Sequence, residues 1–175
     1  SLTQDGSTIK MPFASFWYIN FYLKDKINKY RNKILVKKYL LAFCSSNPTK
    51  ERTNFMKLFI EKSKRNDDIF CLGKYSDFNC EKNIIKRGNI DTPKHIKSCV
   101  EVLIDEYSKF KFVIAIENCE RKGYLSEKII CAYVAGSIPI YWGDHEYAKR
   151  LFNPKSFICI RDYESVEACI DYILN

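Results

Sequence analysis

The chain reads as an α/β protein whose parallel sheet is covered by helices on both faces, and three observations lead there. Short apolar runs alternate with longer amphipathic stretches along most of the sequence, which is the pattern of β-α-β units and not of hairpins. The stretch Lys109–Asp144 fits one apolar strand, one polar loop, one helix and a second strand into 36 residues. With 175 residues and 46% apolar content, the chain buries a core of one domain's size.

Taken in order, the aromatic run Phe13, Phe16, Trp17, Tyr18, Phe21 and Tyr22 is broken by Ser15 and Asn20 and meets charge at Lys24. It is too short and too polar to span a bilayer and reads as a packed segment. Residues 23–34 then read as a helix, 38–45 as a strand, 50–64 as a helix and 68–72 as a strand. Between Gly73 and Thr92 there is no regular pattern, only a polar loop with Asn79, Lys82, Lys86, Arg87, Gly88 and Asn89. A helix over 93–108 follows, then a strand over 111–117, a helix over 126–135 and a strand over 137–142. Gly136 suits the residue that ends a helix, whereas Pro139 lacks a ladder donor, so its strand should begin late or place it where that loss is harmless. A helix over 145–152, a strand over 156–160 and a closing helix over 164–173 complete the alternation.

The formal charge of +8, from 29 Lys plus Arg against 21 Asp plus Glu, is compatible with an anionic ligand, although most such charges are solvated faces. Lys24, Lys26, Lys29, Arg31, Lys33, Lys37 and Lys38 cluster closely enough for a membrane-surface or partner contact. No basic-aromatic pattern of a nucleic-acid module is present, so no nucleic-acid partner is expected. The eight cysteines contain no CxxC pair, and Cys44, Cys131, Cys159 and Cys169 fall in apolar patterns where thiols act as small hydrophobes. Free buried thiols are expected, with Cys71 and Cys80 the best disulfide candidates.

The chemistry concentrates after two strands. The 111–117 strand empties into a loop carrying Glu117, Asn118, Arg121 and Lys122, and the next helix opens with Ser126, Glu127 and Lys128. A cation in a first turn opposes the positive end of the helix dipole unless an anion binds there too. Arg52 stands in the same relation to the 38–45 strand. Ligands of open α/β sheets sit beyond the carboxyl ends of the strands, so two cations converging there suit a diphosphate. Each residue also has a plainer reading: Lys128 and Arg52 as surface charges, Tyr124 as a core or lid aromatic, Asn118 as a turn residue, and Glu117 as a cap for the loop or the next helix. Asp67-Asp68 precedes a strand and reads as a turn cap, and His95 and His145 are isolated, so no metal and no other cofactor is expected.

These residues resemble the nucleotide-binding signature of the α-1,3/4-fucosyltransferases, glycosyltransferase family ten. The similarity runs through Ile116-Glu117-Asn118 and Tyr124-Leu125-Ser126-Glu127-Lys128, then Ala135 to Gly143, Ala148-Lys149, Asn153 to Phe157 and Ile170 to Ile173. Upstream, Ser46-Asn47-Pro48 with Arg52-Thr53-Asn54-Phe55 is similar to the family's Arg-bearing helix start, and Gly73-Lys74 to its glycine turn. Ser126 stands for Thr, Ile116 for Phe, Cys119 for a small polar residue, and Leu72 interrupts a Gly-Gly.

The resemblance implies the Rossmann-like donor half of a GT-B glycosyltransferase, with residues 38–175 binding GDP-β-L-fucose and 1–37 lying at the inter-domain side. It implies inverting transfer of fucose to a glycan acceptor containing N-acetylglucosamine, with Arg52 and Lys128 on the pyrophosphate, Tyr124 and Glu127 on the ribose side and Asn118 near guanine. The general base is expected from a missing N-terminal acceptor domain, Glu117 being the nearest candidate within the chain, and the isolated chain is expected to be inactive. A GT-B domain for another nucleotide sugar and a non-catalytic nucleotide-sugar-binding module remain as alternatives. Cytoplasmic, membrane-associated and Golgi locations are all compatible.

Overall fold

The structure, a computed structural model, describes residues 2–4, 7–9, 28–29, 36–45, 47, 49–63, 68–72, 85–87 and 99–175. The aromatic run at 13–22, the Gly73-Lys74 turn, Cys80, Asp67 and most of the basic stripe lie outside these. Six parallel strands form the sheet: β1 (Tyr39–Cys44), β2 (Ile69–Leu72), β3 (Ile85–Arg87), β4 (Phe110–Ile116), β5 (Ile138–Trp142) and β6 (Ile158–Cys159). Their order is β3-β2-β1-β4-β5-β6. The chain thus winds outward in one direction from β1 and in the other from β4, and the crevice between the ends of those two strands is the topological switch point.

Five helices connect or follow the strands: α1 (Lys50–Lys62), α2 (Cys99–Tyr107), α3 (Glu127–Val134), α4 (His145–Leu151) and α5 (Val166–Leu174). Strand periodicity sorts the core into two faces. Leu41, Phe43, Phe112, Ile114 and Ile116 pack with Phe55, Met56 and Phe59 of α1 and with Cys169, Ile170 and Ile173 of α5. The alternate residues Ala42 and Val113, joined by Phe110 at the start of β4, pack with Ile104 and Tyr107 of α2 and Cys131 and Ala132 of α3. Helices on both faces of a parallel sheet are what the alternation predicted. Lys62 reaches Asp171 at 2.7 Å and ties α1 to α5.

The far end of the sheet is closed by polar groups. Lys37 Nζ donates to the carbonyls of Ser108 and Ala135, both at 3.0 Å, where α2 and α3 end. Those carbonyls carry the negative ends of the helix dipoles, so one cation serves both. Gly136 follows Ala135 at φ 66°, a conformation that costs glycine nothing and lets the chain turn directly into β5. Pro139 is tolerated in β5 because the ladder to β6 begins only at Ile140, paired with Ile158.

Three departures from the sequence reading have physical reasons. β3 lies inside the stretch read as a structureless polar loop; three residues including Lys86 and Arg87 give no apolar run, and charge is how edge strands are commonly protected. The strand expected over 156–160 is only Ile158–Cys159, because Pro154–Ser156 and Ile160–Asp162 form 3-10 turns on either side. A two-stranded antiparallel ribbon, Leu2–Gln4 with Ser7–Ile9, was not anticipated. Cys119, Cys159 and Cys169 are free thiols, and burial pushes that of Cys169 up to about 12. The Cys71 to Cys80 pairing lies outside the described residues. Among the described residues no helix is long and apolar enough to cross a membrane.

Candidate functional site at the switch point

Two segments meet at the crevice between β1 and β4: Ser45, Asn47 and Thr49 ahead of α1, and residues 117–126 leading into α3. Arg52, in the first turn of α1, is 2% exposed and lies between them. Its Nε and one terminal nitrogen donate to Ile116 O at 3.0 and 2.7 Å. The other terminal nitrogen donates to Ser45 Oγ at 3.1 Å and Asn47 O at 3.0 Å. A fifth bond runs to Asn118 Oδ1 at 2.7 Å. A guanidinium has five N–H donors in a fixed fork, so all of Arg52's are committed to the protein. Burial lowers its pKa, and the nearby Glu117 carboxylate partly offsets that. The sequence reading expected this fork to be offered to a diphosphate; in this structure its donors bond the two sides of the crevice to each other.

The start of α3 is built differently. Glu117, the first residue after β4, is fully buried. Its Oε1 accepts Ser126 N at 2.7 Å, and its Oε2 accepts Ser126 Oγ at 2.6 Å and Lys128 Nζ at 3.2 Å. Lys128 Nζ also donates to Ser126 Oγ at 2.9 Å. Both oxygens of Glu117 are engaged, which makes it the anchor of the α3 start and leaves no exposed oxygen for proton abstraction. Space around it is tight: a Cβ on Gly143 would sit 2.6 Å from the Tyr141 hydroxyl and 2.9 Å from Glu117 Cγ, so this position requires glycine. The Tyr141 hydroxyl is itself buried without a hydrogen-bond partner.

Ser126 occupies the N-cap of α3, yet its hydroxyl faces Glu117 and makes no cap hydrogen bond. Thr49, Asp144 and Ser165 by contrast each close their own helix, accepting from Arg52 N, Tyr147 N and Ala168 N. The first-turn N–H groups of α3 are therefore left for another acceptor. Around that opening, Lys128 is 23% exposed and has one ammonium proton beyond its two bonds. Tyr124 and Glu127 are half-buried, and among the described residues neither side chain has a hydrogen-bond partner. Burial, with the Glu117 and Glu127 carboxylates behind it, raises the Tyr124 pKa above the usual tyrosine value, so its O–H persists as a donor. Asn118 is exposed, with its Nδ2 donating to no described residue.

The loop is held from the far side by Asp144, whose Oδ2 accepts Gly123 N at 2.6 Å while Oδ1 caps α4. A cavity of about 510 Å³ adjoins the crevice at Ile116 and is lined by Glu51, Phe55, Trp142, Arg161 and Tyr163 among others. Trp142 lies 5.7 Å beneath the Arg161 guanidinium, which is paired with Glu120. Phe55, Tyr141 and Trp142 lay in stretches that carried the family resemblance, but the sequence reading gave no role to them, nor to Glu51, Arg161, Tyr163, Ser45 or Asp144. Only the Trp142-Gly143-Asp144 run carried a signal for them, a glycine and a cap residue immediately after a strand.

Comparison with known proteins bears directly on this arrangement. The profile described as "Glycosyltransferase family 10 (fucosyltransferase) C-term" matches residues 37–175. An alpha-(1,3)-fucosyltransferase of Helicobacter pylori is 48% identical over 66 residues, 38% of this chain and 14% of that protein. A putative fucosyltransferase of Acanthamoeba polyphaga mimivirus is 41% identical over 75 residues, 43% of this chain and 12% of the relative. The human 4-galactosyl-N-acetylglucosaminide 3-alpha-L-fucosyltransferase 9 is 35% identical over 72 residues, 41% of this chain and 20% of that enzyme. The fold is similar to that of an alpha1,3-fucosyltransferase crystallised with GDP (TM-score 0.62, 28% identity, 85% of this chain and 38% of that one). It is also similar to one crystallised with GDP-fucose (TM-score 0.56, 27% identity, 98% of this chain and 45% of that one). The chain thus spans less than half the length of the solved structures it matches. Residues 37–175 match the family's C-terminal domain by sequence and its GT-B type structures by fold, and the chain belongs to glycosyltransferase family 10, the fucosyltransferases.

Proposed function

We propose that this chain is the donor-binding half of a fucosyltransferase, holding GDP-β-L-fucose for inverting transfer to a glycan hydroxyl. The observation that carries the reading is the start of α3. An uncapped helix N-terminus, a first-turn lysine with a spare proton and two unpartnered polar side chains meet at the switch point of the sheet. Helix dipole and ammonium together favour an anion there. Lys128 takes the diphosphate as a point charge, helped by the α3 N–H groups. Glu127 accepts from the ribose hydroxyls, Tyr124 lies against the ribose, and Asn118 faces the nucleotide from the β4 side. Arg52 adds positive charge from behind Asn118 and keeps the crevice open in one geometry.

The same charges neutralise the leaving nucleoside diphosphate as the glycosidic bond breaks, so the reaction needs no divalent metal. Glu117 acts by fixing Lys128 and Ser126. The general base and the acceptor site, with N-acetylglucosamine the expected acceptor sugar, come from another domain of the enzyme. The test is GDP binding: a ligand at about 100 times its Kd adds roughly 2.7 kcal/mol to the folded state and raises Tm accordingly. GDP-mannose and UDP-sugars run alongside GDP-fucose separate this reading from another GT-B specificity. A folded sample with no shift at millimolar GDP overturns it.

A further inference from the structure

Tyr141 of β5 places a hydroxyl behind the start of α3. Its ring is fully buried among Ala115, Leu125, Ile129 and Phe157, with the Phe157 ring edge-on at a centroid distance of 6.0 Å. So dense a setting holds the ring in one place. The hydroxyl at its end has no hydrogen-bond partner among the described residues. Burial raises its pKa, and Glu117 is the charge that adds most to the effect, so the oxygen keeps its proton. A buried donor without an acceptor is costly, which points to a second arrangement in which it has one.

Glu117 is the acceptor within reach. The point where a Cβ on Gly143 would stand is 2.6 Å from the Tyr141 hydroxyl and 2.9 Å from Glu117 Cγ, so the two side chains face each other across the glycine. The Glu117 oxygens are met by Ser126 N, Ser126 Oγ and Lys128 Nζ, and the lysine bond, at 3.2 Å, is the longest of the three. It is also the one an anion contests, because Lys128 is 23% exposed at the open end of α3 whereas Ser126 is buried. Asp144, the next charge acting on the hydroxyl, is held by Gly123 N and Tyr147 N, which a ligand at α3 does not contest.

We propose that Tyr141 is a positioning residue that takes over from Lys128 on Glu117 when a diphosphate draws the ammonium forward. The Tyr141 O–H then donates to the buried carboxylate, which goes on holding Ser126 and the start of α3. This rests on the reading of the α3 start as a diphosphate site and deepens it. The free protein carries an unsatisfied hydroxyl that ligand binding satisfies, so part of the affinity for the diphosphate comes from a residue that never touches it.

Tyr141→Phe removes the hydroxyl and keeps the ring. Without ligand its Tm rises by about 2–4 °C, the shift expected on relieving one orphaned group in a chain of this size. Calorimetric affinity for GDP and for pyrophosphate falls about tenfold, the scale of a hydrogen bond to a charged group, while guanosine loses less than about twofold. A residue with only a structural role does not raise Tm and weaken the phosphate part of a ligand together. The exchange is also read without any ligand. In a Lys128→Met background the carboxylate has already lost its cation and Tyr141 already serves it, so Tyr141→Phe now lowers Tm by about 2–4 °C. Should Lys128→Met fail to fold, Ser126→Ala, which takes the hydroxyl donor from Glu117, replaces it as the background.

Unchanged GDP and pyrophosphate affinity in Tyr141→Phe overturns the proposal, and so does an equal rise in Tm in both backgrounds. A fall in Tm in the native background overturns it too, because the hydroxyl is then bonded before any ligand arrives. Absence of GDP binding by the native chain is a different failure and refutes the nucleotide reading itself; the reversal of Tm between backgrounds then decides whether Tyr141 serves Glu117.

Discussion

The helices α1 and α3 open in the same way in sequence and in opposite ways in structure. Each follows a central strand, each carries a cation in its first turn, and the two starts flank one crevice. At α1 the helix is capped by Thr49 and the arginine spends all five donors on backbone and side-chain acceptors. At α3 the cap residue is drawn away by Glu117, the helix end is open, and the lysine keeps a proton and part of its surface. The difference follows from the chemistry of the two cations. A planar fork can be satisfied by a cage of carbonyls at little loss, whereas an ammonium on a flexible stem beside one buried carboxylate cannot. One start therefore has its cation committed to the protein, and the other leaves an open helix end that the proposed function uses for binding.

The largest expected effect concerns what neither start supplies. Glu117 is buried with both oxygens engaged and is not placed as a general base, and Glu127 is read as a ribose contact, so the base is proposed to come from an acceptor domain. Loss of a base typically costs about 10² to 10⁴ in rate, and loss of acceptor positioning adds to that. The chain should bind GDP-fucose and transfer fucose at a negligible rate, while a version extended upstream with an acceptor domain turns over. A transfer assay with N-acetyllactosamine on both checks this. Robust turnover by the 175-residue chain would return Glu117 to the role of first suspect.

Next in size is the stability contrast. Arg52→Ala takes both side-chain donors from Ile116 O, where an orphaned buried group costs about 1–3 kcal/mol, and unpins the Ser45 hydroxyl and Asn47, which keep the bonds between themselves. A net loss of about 3 kcal/mol is expected, measured by urea unfolding. Lys128→Ala leaves Glu117 with both Ser126 donors but takes the paired cation from a buried carboxylate, so a smaller loss of about 1.5–2 kcal/mol is expected. Equal losses at the two positions would erase the distinction between the helix starts.

Binding should sort them the other way. Lys128→Ala weakens GDP by about 1.5–3 kcal/mol while leaving guanosine nearly unchanged, because the lost contact is to a phosphate. Equal losses for GDP and guanosine would mean that the substitution had disturbed the loop and not the phosphate contact.

The sequence carried this site unevenly, and the reasons are physical. Strand and helix placement was legible for β4, α3 and β5 because their apolar period is unbroken and Gly136 marks the turn. β3 was not, since three edge residues, one apolar and two charged, have no period to read. The motif residues Asn118, Tyr124, Glu127 and Lys128 do gather around one opening. What residue spacing cannot contain is direction: whether the Arg52 fork points into the crevice or back across it depends on Ile116 O and Ser45 Oγ, contacts across 64 and 7 residues. Glu117 is similar, because a carboxylate after a strand reads equally as base, sugar contact or cap until its oxygens are seen to face Ser126 and Lys128.

The smallest expected effect is none, and it tests whether the open helix start is sufficient. If Lys128, the uncapped N–H groups of α3 and the Arg52 charge behind Asn118 together neutralise a diphosphate, a divalent ion has no task left in binding. GDP affinity should then be the same in EDTA as in millimolar magnesium. Cationic neutralisation by side chains is weakened by ions in solution, over a Debye length of about 10 Å at 0.1 M salt, so both arms must be run at one ionic strength. Lys128 is only partly exposed and its pair with Glu117 is partly shielded, which limits that loss. A tenfold fall in affinity with EDTA at constant ionic strength would show that the α3 start does not carry enough positive charge by itself. The contrast between a structural α1 start and a ligand-binding α3 start would then have to include a metal held by groups from outside these two helices.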